Sequence, residues 1–250
     1  MSPTLLSRIL RRLRRRAGTD EVSTAYRPLD LSERLDGWLA TEVAARQHLA
    51  FAPLVRQAFD GQPREDFQAA AWAVGSARAA FPFVVEVGCG SGYYSEVLPH
   101  LVGRELRYVG LDYSLAMVAL GSRSYPGVSF LAGDARRLPL GDGCCDVVLS
   151  GGVLMHIPDY VEAIRECRRI TRDICVFHTV PVREKGPTTF LQKLAYSGPV
   201  AEVIFNLVEI EEQIRSAGLS IVGRRPSVPY DLFSVLGETT WTATFLCRRV

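Results

Sequence analysis

The ten residues Val84-Val85-Glu86-Val87-Gly88-Cys89-Gly90-Ser91-Gly92-Tyr93 decide how this chain is read. A β-branched run carrying an acid passes into glycines at alternate positions. That is the pattern of a buried parallel strand opening through a tight turn into a helix. Glycine serves where the backbone turns sharply, or where a ligand must approach with no Cβ in the way. The turn therefore points to a nucleotide-like ligand.

Spacing narrows the choice. A dinucleotide fingerprint, G-x-G-x-x-G, would put its third glycine where Tyr93 stands, and no Walker-type G-K-[ST] follows. Asp112 closes the next strand-like run, Tyr108-Val109-Gly110-Leu111-Asp112, 20 residues past Gly92. An acid there accepts from both hydroxyls of a ribose and argues against a 2′-phosphate. Asp134, in Leu131-Ala132-Gly133-Asp134-Ala135, closes a third run and stands ready to accept from an adenine amino group. With Glu86 this makes three carboxylates, which repel a pyrophosphate and favour a cation. A sulfonium with an α-amino group on an adenosine scaffold suits that charge better than NAD does.

Four blocks occur in order: Val85-Glu86-Val87-Gly88-Cys89-Gly90-Ser91-Gly92, Gly110-Leu111-Asp112-Tyr113-Ser114, Gly133-Asp134-Ala135 and Asp146-Val147-Val148-Leu149-Ser150. Together they resemble class I S-adenosylmethionine-dependent methyltransferases, from about Pro82 to Val180 and more loosely to the C-terminus. The resemblance implies an α/β fold: a doubly wound, mostly parallel seven-stranded sheet with one antiparallel strand near an edge. It implies S-adenosyl-L-methionine as cofactor and S-adenosyl-L-homocysteine as product. Glu86, Gly88 and Gly90 then shape the pocket for the methionine part, and Gly92 opens the following helix. Asp112 holds the ribose, Tyr113 and Met117 pack near the adenine, and Asp134 and Ala135 read the adenine nitrogens. Ser150 and Gly151 line the methionyl end. Helix packing is the competing explanation for Tyr113 and Met117.

The flanking sequence agrees with that plan. Strands are expected near 83–87, 106–111, 128–132, 145–150 and 173–178, with helices near 92–101, 114–123 and 159–170. A helix near 209–217 and strands near 219–225 and 239–247 complete the domain, assigned to residues 82–250. Residues 21–81 read as a helical extension, with Asp30 and Glu33 as a capping box ahead of Leu35, Trp38, Leu39 and Val43. Gly61-Gln62-Pro63 breaks it, and an alanine-rich helix follows from about Asp66 to Ala80. Residues 182–208, with breaks at Gly186-Pro187 and Gly198-Pro199 between helix-like pieces, read as a substrate cap.

Charge is uneven. Residues 1–19 of the basic tail (1–20) hold six arginines and no acid, while the remainder carries 23 Lys and Arg against 27 Asp and Glu. The acidic body excludes a general affinity for nucleic acid. Leu5, Leu6, Ile9, Leu10 and Leu13 share one helical face of the tail. Peripheral contact with an anionic membrane, a transit peptide and a plain frayed helix compete for it. The six cysteines form no C-x-x-C pair and the four histidines are scattered, so no metal site is expected. Reduced, buried thiols suit a cytoplasmic setting.

Methyl transfer from a sulfonium needs alignment above all. A base is needed only where the acceptor must shed a proton. His178, at the end of the fifth strand, is the preferred base; His156, in Leu154-Met155-His156-Ile157-Pro158, is the second, with a loop cap as its structural explanation. Tyr196 and Tyr230 read as packing residues within reach of the site. Without an N-P-P-[YF] motif, the reading is methyl transfer to a small-molecule or sugar-like acceptor, at oxygen. An NAD-dependent oxidoreductase and a non-catalytic S-adenosylmethionine-binding regulatory protein are the rivals.

Overall fold

The computed structural model describes residues 26–196 and 198–250, so the arginine-rich segment 1–19 lies outside the described residues. The strands are β1 (Arg27–Pro28), β2 (Phe83–Val87), β3 (Arg107–Asp112), β4 (Ser129–Ala132), β5 (Cys145–Gly151), β6 (Thr171–Arg183), β7 (Thr189–Ala195), β8 (Gly198–Asn206), β9 (Leu219–Pro229) and β10 (Trp241–Arg249). The helices are α1 (Thr41–Phe59), α2 (Glu65–Gly75), α3 (Tyr94–Val102), α4 (Leu115–Ser124), α5 (Tyr160–Ile170), α6 (Leu207–Ser216) and the short α7 (Phe233–Leu236).

Seven strands follow the order β4-β3-β2-β5-β6-β10-β9. The first five pair in parallel, and β10 runs antiparallel to both β6 and β9. The central strands are apolar on both sides because helices cover both faces. Val84, Val147 and Val176 pack toward α2 and α3, while Val85, Val148 and Phe177 pack toward α5 and α6. Residue-by-residue alternation along each strand produces that division. Their C-terminal ends, where parallel sheets of this kind place ligands, all point to one rim.

Three strands add to the expected seven. β8 pairs in parallel with the last residues of β6 (Val182 with Phe205, Arg183 with Asn206). β7 folds back on β8 as an antiparallel hairpin, and β1 pairs with β7. Residues 182–208 are therefore strands, not helix-like pieces. The run Val200–Phe205 is buried on both faces and rich in β-branched and aromatic side chains, which favours a strand. Its Gly/Pro breaks mark strand starts.

The N-terminal region also departs from expectation. Asp30 accepts from the backbone and hydroxyl of Ser32, and Glu33 takes Arg27, so the two acids form no capping box. A 3-10 turn at Gly37–Leu39 precedes α1, and α2 stops at Gly75. Among the described residues no helix is long and apolar enough to cross a membrane.

Candidate active site

The turn after β2 is built as its glycines require. Gly88, Gly90 and Gly92 all take positive φ (71°, 54° and 85°), a conformation costly for other residues. A Cβ at Gly88 would come 2.6 Å from the side chain of Val153. The amides of Gly88 and Cys89 both donate to the Leu111 carbonyl, at 2.7 and 3.0 Å, which ties the turn to β3. Gly92 lies against the ring of Phe130, away from the cleft.

Asp112 faces this turn. Its Oδ2 accepts from the Gly90 amide and its Oδ1 from the Ser114 amide, each at 2.9 Å. Burial raises its pKa to about 6 against the opposing effect of those amide bonds. A carboxylate offers about four acceptor positions, so each oxygen keeps capacity for a ligand.

The other two acids differ from the charged trio expected above. Glu86 is fully enclosed, bonded by the Tyr108 hydroxyl, and burial drives its pKa well above the usual carboxylate range. Asp134 accepts from the backbone and guanidinium of Arg136, which hold its pKa low, and Arg136 also reaches Asp159 at 3.1 Å. The negative charge of the site thus centres on Asp112. Arg136 was not singled out from the sequence.

A cleft of about 270 Å³ opens over these residues. Gly88, Gly90, Asp112, Tyr113, Met117, Asp134, Ala135 and Gly151 line it, together with His156. Leu35, Trp38 and Gln47 form part of its wall, and sequence reasoning missed all three in this role. Gln47 Oε1 and Trp38 Nε1 are buried and have no hydrogen-bond partner among the described residues. Gln47 reaches over the turn, so that a Cβ at Gly90 would meet its Oε1 at 2.7 Å. Glu86, Gly92, Ser150 and His178 lie outside the lining. Glu86 stays adjacent, since a Cβ on Gly151 would stand 3.0 Å from its Oε1, and the buried Ser150 hydroxyl has no partner among the described residues.

Comparisons with known proteins bear on this geometry directly. Residues 85–177 match the model of a family described as a methyltransferase domain. Over residues 85–177 the chain carries a methyltransferase domain similar to those of class I S-adenosylmethionine-dependent enzymes. A probable S-adenosylmethionine-dependent methyltransferase of Mycolicibacterium smegmatis is 37% identical over 100 residues, covering 40% of this chain and 38% of that protein. A demethylmenaquinone methyltransferase of Geobacillus stearothermophilus is 32% identical over 111 residues, covering 42% of this chain and 47% of the relative. The chain thus spans less than half the length of these curated relatives. The fold matches a structure of Burkholderia thailandensis 1,6-didemethyltoxoflavin-N1-methyltransferase with bound S-adenosylhomocysteine, at TM-score 0.57 and 18% identity, over 90% of this chain and 95% of that one.

Within the methyltransferase domain the two histidines occupy different settings. His178 is 2% exposed; its Nε2 pairs with the Tyr94 hydroxyl at 2.8 Å and its Nδ1 with Thr244 at 2.7 Å. Burial lowers its pKa to about 4. A register shift sets His178 and Thr179 opposite Thr244, with Thr179 at φ 53°, so the bulged strand holds His178 inside the core. Both ring nitrogens are occupied there, and the preferred base of the sequence reading has no open face to the cleft.

His156 lies on the 3-10 turn Leu154–His156 and does line the cleft. Its Nδ1 lies 2.7 Å from the Ala201 carbonyl, which assigns the proton to Nδ1, and among the described residues nothing bonds Nε2. Burial pushes its pKa below the usual histidine range, against the pull of Glu202. At neutral pH the ring is a neutral imidazole with a free lone pair. Trp38 packs against it at 5.0 Å between centroids. Tyr196 meets Trp38 edge-on at 6.0 Å, which places the tip of the β7–β8 hairpin behind this wall.

Proposed function

We propose that this chain transfers a methyl group from S-adenosylmethionine to a hydroxyl of a small-molecule or sugar-like acceptor, with His156 as the base. One observation carries the reading: a single cleft gathers the turn glycines, Asp112, Asp134 and a neutral His156 with Nε2 free. The cofactor supplies the methyl group in already activated, sulfonium form. The chain fits such a ligand. The buried, unpartnered Gln47 Oε1 and Trp38 Nε1 call for polar partners that a ligand in the cleft provides. In this reading Asp112 receives the ribose hydroxyls on its remaining lone pairs, while Asp134 and Ala135 face the adenine. Tyr113 and Met117 pack along it. Gly88, Gly90 and Gly151 admit the methionyl part close to backbone, with Glu86 and Ser150 behind them and Gly92 starting α3.

His156 Nε2 takes the hydroxyl proton as the acceptor oxygen becomes nucleophilic, a contribution of about 10²–10⁴ in rate. Leu35, Trp38 and Gln47 exclude water on one side, and the β7–β8 hairpin behind Trp38 shapes the acceptor side. The quinone-type acceptor named for the Geobacillus relative supports a small-molecule substrate.

Radiolabelled methyl transfer to a panel of hydroxylated small molecules and sugars tests the reading, run on the native chain and on His156→Ala. Transfer should be at least about a hundredfold slower in His156→Ala, with S-adenosylhomocysteine affinity retained. Equal rates would remove His156 from the chemistry. Cofactor binding without transfer to any acceptor would favour the non-catalytic binding protein.

A further inference from the structure

The β7–β8 hairpin carries a buried charge cluster for which methyl transfer as described has no use. Glu202 on β8 is wholly buried. Its Oε1 lies 3.0 Å from Lys193 Nζ on β7 and accepts from the Tyr230 hydroxyl. Lys193 also reaches Tyr230 at 2.9 Å and Tyr26 at 3.2 Å, and the two tyrosine hydroxyls are 2.6 Å apart. Burial is the largest single influence and works against the charge of Lys193, but Glu202 and Tyr26 together outweigh it and hold the pKa above the usual lysine value, so the group is an ammonium. Glu202 Oε2 is different. It is buried, has no hydrogen-bond partner among the described residues, and points to His156, 3.6 Å from Nδ1.

An unpartnered carboxylate oxygen in the interior is costly unless its charge serves something. Here it faces a ring whose Nδ1–H is already given to the carbonyl of the preceding residue, Ala201. One strand therefore supplies both contacts on the same side of the imidazole, leaving Nε2 toward the cleft.

We propose that Glu202 is the positioning residue of His156: with the Ala201 carbonyl it fixes the Nδ1–H tautomer, and its free oxygen stabilises the imidazolium formed when Nε2 takes a proton. Burial first, and then the nearby Lys193 ammonium as a counterweight to Glu202, keep the resting ring neutral. The charged groups acting on the ring are Glu202 from β8 and Lys193 from β7; Trp38, from the turn before α1, adds an uncharged face. The arrangement follows the logic by which a buried carboxylate orients a catalytic imidazole. The proton balance is simple: the acceptor hydroxyl loses H⁺ to Nε2, Nδ1 keeps its own proton, and solvent takes the added proton after product leaves. This inference rests on the base assigned above.

Nitrogen-15 imidazole NMR of the full chain tests it without any acceptor. The native protein should show His156 as the Nδ1–H tautomer. Glu202→Gln should lower the His156 pKa by about one unit, and Lys193→Met should raise it by a similar amount. Opposite shifts are the signature, because loss of packing alone would move both variants the same way. Glu202→Asp should restore part of the native value. Should Glu202→Gln fail to fold, Lys193→Met decides: an unchanged or lowered His156 pKa overturns the proposal. S-adenosylhomocysteine binding is read separately, so failure of the cofactor reading and failure of this pairing are distinguishable.

Discussion

A carboxylate that gives one lone pair of each oxygen to a backbone amide, as Asp112 does to Gly90 and Ser114, is both a brace for the glycine turn and a receptor with spare capacity. Its pKa near 6 has a consequence for binding. Ligand hydroxyls need the ionised form, so S-adenosylhomocysteine affinity should fall as pH drops through 6, by about tenfold from pH 7.5 to 5. Calorimetry at three pH values checks this; a flat profile would separate Asp112 from the ribose. His178 supplies a second expectation, about stability. Its folded pKa of about 4 lies below the unfolded 6.5, so the unfolded chain binds more protons between those values. Its stabilising contribution is present above pH 6.5 and is lost as pH falls toward 4, by about 3 kcal/mol. Replacing His178 with Gln should remove that part of the slope in denaturant titrations taken between pH 7 and pH 4.5.

The decisive elements are the β2 turn and the contact between the hairpin and the turn before α1. Gly37 and Gly198 meet backbone to backbone: a Cβ on Gly198 would stand 2.7 Å from the Gly37 Cα. Gly198→Ala should therefore separate the hairpin from the Trp38 turn and cost about 1–3 kcal/mol, a fall of several degrees in Tm. A melting temperature equal to the native one would show that the two elements can part freely. The turn was legible because three glycines and two strand-end acids have a fixed relation to one another along the chain. The hairpin was not. Its Gly/Pro breaks read as helix ends, and only the antiparallel pairing of β7 with β8 shows them to be strand starts. Trp38 and Gln47 were likewise invisible as wall residues, since their role comes from where α1 and the turn before it sit against the cleft. His156 was legible as a candidate but ranked below His178, because burial of both His178 nitrogens depends on a bulge that no sequence spacing announces.

At the scale of the molecule, an acidic body carries an arginine- and leucine-rich segment at residues 1–19. We propose that this segment makes peripheral contact with anionic membrane. Deleting it should abolish co-flotation with vesicles containing anionic lipid and leave neutral vesicles unaffected; unchanged flotation would refute the contact. Most depends, however, on whether the cleft over the β2 turn binds the cofactor. Calorimetric titration with S-adenosylhomocysteine, on the native chain and on Asp112→Ala, tests it most directly. The native chain should show one saturable site of about micromolar affinity or tighter, weakened about tenfold to a hundredfold by the substitution. No binding by the folded native chain, or equal binding by the variant, would contradict it.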